Sequence, residues 1–69
     1  PNPVKNGFVN INSKTEGTKI IELYDLTGRL VMSTKLNTSI LDVSSIGSGI
    51  YLLKVTISNR TATNKLIIN

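Results

Sequence analysis

Apolar and polar residues alternate along most of this chain, and turn residues cut the alternation at short intervals. Residues 8–12 place Val9 and Ile11 on one face and Phe8 on the other, which predicts a strand. Residues 18–24 do the same, with Ile21 and Leu23 on one face and Ile20 and Tyr24 opposite, as expected of a central strand in a two-layer structure. Residues 29–35 carry Leu30, Val31 and Met32, and residues 38–43 carry Ile40 and Leu41 before Asp42. The strongest alternation runs over residues 49–58, where Tyr51, Leu53, Val55 and Ile57 share one face. Residues 61–68 return from a Ser58-Asn59-Arg60 turn and end in Leu66, Ile67 and Ile68, apolar on both faces. No stretch sustains a helical period over three turns.

The turns are written as plainly as the strands. Pro1-Asn2-Pro3 holds the start of the chain extended, because a residue before proline is pushed out of the helical region. Lys5-Asn6-Gly7 is a turn signal, and Ser13 to Gly17 reads as a polar loop. Asp25-Leu26-Thr27-Gly28 has Asp first and Gly fourth, the chemistry of a type I turn closed by a left-handed residue, and predicts a hairpin. The run from Ser44 to Gly49 is a loop with Gly47 and Gly49, and Ile46 within it is expected to tuck inward as a plug. Strands at this spacing predict an all-β domain of about six or seven strands, a sandwich or partly open barrel.

Length and composition narrow the options. A chain of 69 residues holds one core, and at this size only about 60% of the unfolded surface is buried. It has no Cys, so neither a disulfide nor a thiolate metal site supports the fold. The apolar runs are far shorter than the roughly 20 residues that span a bilayer, so no transmembrane segment is expected. No signal peptide opens the chain, and its start at Pro1 rather than Met suggests a domain excised from the C-terminus of a longer protein. The net charge of +4 comes from dispersed residues, no two adjacent, which suits lysines solvated on a sheet surface. Phosphate or lipid-headgroup contact is the alternative. Phe8, Tyr24 and Tyr51 are the aromatics, each inside an apolar strand pattern, and no basic face interleaved with aromatics points to nucleic acid.

Catalysis finds little to work with. His and Cys are both missing, which removes the commonest general base and the commonest soft metal ligand. The carboxylates are Glu16, Glu22, Asp25 and Asp42. Asp25 reads as a turn opener and Asp42 as a cap for the Ser44-Ser45 amides; neither stands in the alternating pattern of a calcium loop. No enzyme activity, cofactor or metal is expected. Arg29 is placed by a tight turn, where it would meet an anion on a partner or lay its stem over Tyr24. The tail Lys65-Leu66-Ile67-Ile68-Asn69 is the best candidate for docking through a sheet edge, and completing the sheet is the simpler reading.

Five motifs, in this order, resemble the type A C-terminal sorting domain of the type IX (Por) secretion system of Bacteroidetes. They are Pro1-Asn2-Pro3, the stretch from Tyr24 to Val31, Leu41-Asp42-Val43-Ser44, the stretch from Gly49 to Val55, and Lys65-Leu66-Ile67-Ile68. The resemblance covers the whole chain, though many members end in a basic residue where this chain has Asn69. It implies an immunoglobulin-like antiparallel β-sandwich at the end of a secreted cargo protein, acting as a folded address label. The implied partners are an outer-membrane translocon, periplasmic shuttle proteins and often a sortase-like peptidase. The implied route passes through the periplasm to the cell surface or the medium. By position, Pro1, Asn2 and Pro3 form the opening motif, Gly28 and Arg29 the central turn, Gly49 and Tyr51 the later strand, and Lys65, Leu66, Ile67 and Ile68 the terminal strand. Arg29 and Lys65 are expected to contact the machinery, and Gly28, Gly49 and Tyr51 to maintain the fold. The alternative is an accessory immunoglobulin-like adhesion or glycan-binding module. Exposed aromatic platforms would favour that alternative.

Overall fold

A computed structural model of the chain describes residues 4–12 and 17–69. Within them run six strands: β1 (Phe8–Asn10), β2 (Lys19–Asp25), β3 (Leu30–Leu36), β4 (Ile40–Asp42), β5 (Gly49–Ile57) and β6 (Arg60–Ile68). Four form one sheet in the order β3-β2-β5-β6, and β1 and β4 form a second. Every named pairing is antiparallel. The all-β sandwich expected from the alternation is present, with six strands, and both expected hairpins, β2–β3 and β5–β6, are formed.

The core sits between the sheets because alternate residues of each strand point into it. Val9 of β1 and Leu41 of β4 face Ile21 and Leu23 of β2, Leu53 of β5, and Leu66 and Ile68 of β6 in one cluster. Ile21 and Leu23 are fully buried, and burial of each side chain contributes about 1.5–3 kcal/mol. Ile46 packs against this cluster from the loop before β5, as the plug reading expects. The opening segment joins the large sheet at its far edge. Val4 bridges Ile68 in parallel, with Val4 N donating to Ile67 O at 2.7 Å and Asn69 N to Val4 O at 2.9 Å. The terminal strand thus completes the sheet, and the edge it would have offered at Ile67 is taken by its own chain.

Several expectations are corrected. Residues 8–12 and 38–43 narrow to three-residue strands, because β1 and β4 pair only from Phe8↔Asp42 to Asn10↔Ile40. Lys19 is no solvated surface lysine: it lies in the inward row with Ile21 and is 8% exposed, its Nζ reaching Thr38 O at 3.1 Å. Phe8, on the face opposite Val9 as the alternation expects, is 47% exposed and stands on the outer face of the small sheet. Strand β2 is central, as expected, yet only one of its faces is covered; Ile20 on the other is open to solvent. Pro1, Asn2 and Pro3, and most of the loop from Ser13 to Gly17 with Glu16, lie outside the described residues.

Candidate functional site

The singled-out positions among the described residues are far apart in the chain, and the sheet register gathers them toward one end. Asp25 at the end of β2 faces Tyr51 of β5, and Tyr51 faces Leu66 of β6. One step further along, Gly49 faces Ile68, which the Val4 bridge covers. The β2–β3 turn with Gly28 and Arg29 closes the same end.

That turn is organised by one carboxylate. Gly28 N donates to Asp25 O at 3.0 Å, which closes the turn. Asp25 Oδ1 accepts from Thr27 N at 2.9 Å, from Arg29 N at 3.0 Å and from the Thr27 hydroxyl. Bonds to the charged form favour it. The Thr27 hydroxyl first, then the Arg29 and Thr27 amides and the nearby guanidinium, hold the Asp25 carboxyl below its ordinary range. Arg29 Nε lies 3.2 Å from Asp25 Oδ2 with a side chain 78% exposed, so its ion partner is Asp25 rather than a place over Tyr24. Tyr24 instead donates its hydroxyl to Glu22 Oε2 at 2.8 Å, a bond that, with the carboxylate's charge and partial burial, raises the phenol above its usual value. Gly28 has φ +90 with open space around it, so glycine is needed there for conformation and not for room.

Gly49 and Tyr51 form a clasp on the loop that precedes β5. The Tyr51 ring lies over Gly49, 3.4 Å from where a Cβ would be, and its hydroxyl donates to Gly47 O at 2.7 Å. The other end of that loop is capped as expected: Asp42 Oδ1 accepts from the Ser44 hydroxyl and from Ser44 N, at 2.6 and 2.9 Å, which lowers the Asp42 carboxyl. Leu66 and Ile68 are buried beneath this end, while Lys65 is exposed on the outer face.

Two contributors escaped the sequence reading as site residues. Asp25 was legible as a turn opener but not as the acceptor that ties Thr27, Gly28 and Arg29 together. Gly7 has φ +83, and a Cβ there would come within 2.9 Å of Ser44 Cβ. Its carbonyl takes Val43 N at 2.8 Å, so this glycine locks the small sheet onto the same end. Only the Asn-Gly pair hinted at it.

Among the described residues no three carboxylates gather at one place, and no helix is long and apolar enough to cross a membrane. What the fold builds is a small β-domain whose defining residues shape one end of a sheet, a recognition module in form. The chain belongs to the family of secretion system C-terminal sorting domains, whose pattern it matches over residues 1–69. It is a C-terminal sorting signal for type IX secretion, and its role is export to the cell surface or beyond. A comparison with curated proteins gave no match.

Proposed function

We propose that the chain works as a folded tag, a single module at the C-terminal end of a cargo protein, read in the periplasm by shuttle proteins and then by the outer-membrane translocon. The convergence of the Tyr24–Val31, Gly49–Val55 and Lys65–Ile68 motifs on one end of one sheet supports this reading. Residues that matter only for a linear signal have no reason to meet in space. In this reading Gly28, Gly49 and Tyr51 keep the end in shape, and the exposed cations Arg29 and Lys65 present charge to the machinery. Leu66 and Ile68 act from within, by holding β6 in the core. Pro1, Asn2 and Pro3 lead in from the cargo, and removal of the domain by a sortase-like peptidase takes place upstream of them.

The test is a fusion of these 69 residues to a periplasm-directed fluorescent protein in a bacterium that has the type IX machinery. The readout is the reporter fraction outside the outer membrane. Export of the fusion, with retention when Leu66 and Ile68 are both replaced by Ser, is the expected result. A folded fusion that stays in the periplasm overturns the proposal. An adhesion module would show that retention together with binding to a glycan surface.

A further inference from the structure

The outer face of the four-stranded sheet carries more apolar surface than solvation explains. Tyr24 faces Leu30 on one side and Leu52 on the other, and directly opposed residues share a face. One row nearer the motif-bearing end, Ile50 faces Ile67. Leu30 is 48% exposed, Ile50 41% and Leu52 39%. Single exposed apolar side chains are ordinary, but a contiguous group reaching across all the strands of a sheet marks an interaction site.

Charge selects the occupant. By the same register Lys35, Lys54 and Lys65 share this face with one carboxylate among the described residues, Glu22, whose Oε1 lies 3.7 Å from Lys54 Nζ. The face is therefore net positive. A second copy laid against it would set lysines on lysines. An anionic lipid surface rewards basic residues clustered together, whereas Lys54 is paired with Glu22 and Lys35 and Lys65 stand on the opposite edge strands, β3 and β6. The geometry points to the outer face of the β3-β2-β5-β6 sheet as the docking surface for a protein partner with an apolar strip bordered by carboxylates. This rests on the sorting reading and assigns the contact with the export machinery to that face rather than to the buried Leu66 and Ile68.

The experiment compares four fusions in the export assay: wild type, Leu30→Thr/Leu52→Thr, Lys35→Glu/Lys65→Glu, and Phe8→Thr on the exposed face of the other sheet. Thermal melts of each fusion confirm the fold, and Leu30→Thr alone, on an edge strand, decides the matter if the double variant melts early. The expected result is a loss of export of about tenfold or more for the Leu30/Leu52 pair, the scale of truncated interface anchors. The charge-reversed pair loses several-fold, and Phe8→Thr exports as wild type does. Folded Leu30/Leu52 variants that export normally overturn this surface while leaving the sorting role intact; a wild-type fusion that is not exported overturns both. Wild-type protein that floats with phosphatidylglycerol vesicles, or dimerises in sedimentation, through Leu30 and Leu52 assigns the face to lipid or to a second copy, and the proposal falls.

Discussion

The β2–β3 and β5–β6 turns close hairpins at opposite ends of the same sheet, and they are built differently. Around the first, Asp25 accepts several hydrogen bonds, Tyr51 clasps the neighbouring loop, Val4 caps the last strand, and Leu66 and Ile68 lie buried below. Around the second, Ser58 and Asn59 take positive φ values of 48° and 67°, and residues 60–64 of β6 are exposed. A groove lined by Ile11, Val55, Ile57 and Ala62 opens beside it. One strand thus belongs to two regimes: β6 is solvated where it leaves its turn and part of the core where it ends. Stability should be concentrated at the motif-bearing end, and substitutions along β6 measure the gradient.

The largest contrast is expected within that strand. Leu66→Ala removes a buried side chain from the core cluster and should cost about 2–5 kcal/mol. Thr61→Ala, at the exposed end of β6, removes only the hydroxyl contact with Thr56 across the strand pair, at 3.1 Å, and should cost about 0.2–1 kcal/mol. Urea unfolding of both variants checks the comparison, and equal losses would erase the proposed gradient. Next comes Gly28→Ala. With φ +90 and open space around the site, the cost is purely conformational, about 1–2 kcal/mol. Gly28→Asn should recover part of it, since Asn tolerates the left-handed region. Gly7→Ala should exceed Gly28→Ala, because the new Cβ also meets Ser44 Cβ at 2.9 Å.

The parts legible in the sequence were those governed by neighbours along the chain. Alternation marked the strands, and Asp25 with Gly28 announced its turn. What escaped depended on how few strands the second sheet has. Ile20 and Tyr24 read as the second covered face of a central strand, but β1 and β4 pair over only three residues each and lie on one side alone. The same alternation therefore describes a core face and an exposed stripe, and only the layer count tells them apart. Lys19 was misjudged for a related reason: its inward position follows from the period, but a lysine is tolerated there because its Nζ reaches Thr38 O. The Val4 bridge to Ile68 joins the two termini of the chain, a contact no local pattern encodes.

A smaller effect comes from the carboxylates that tie down the motif-bearing end. Asp25 and Asp42 titrate below the ordinary value in the folded protein, chiefly through the hydroxyls of Thr27 and Ser44. A carboxyl with a lowered folded-state value contributes stability that is fully present above its unfolded value, about 3.9, and lost as pH falls through the folded one. The melting temperature should therefore hold steady from neutral pH to about pH 5 and decline below about pH 4. Asp25→Asn and Asp42→Asn should each flatten part of that decline, with Asp42 exposed and Asp25 partly so, which keeps the change modest. An acid profile unchanged in both variants would remove the carboxylates from the account of this end.

The smallest effect should have the opposite sign and lie at the other end. Ser58 and Asn59 occupy the two central positions of a tight hairpin turn closed by the Ile57↔Arg60 pair. Two-residue hairpin turns with positive φ at both positions favour Asn followed by Gly. Asn59→Gly relieves the left-handed position but adds freedom to the unfolded chain, so the net gain should be only about 0.5 kcal/mol. For a domain of this size that corresponds to a rise in melting temperature of roughly 2–4 °C. Export should not change, since this turn lies at the far end of the sheet from the motif-bearing residues. A gain in stability without a change in export would separate the stability of the tag from its recognition. A loss of export would move part of the recognition to the end that the register leaves outside it.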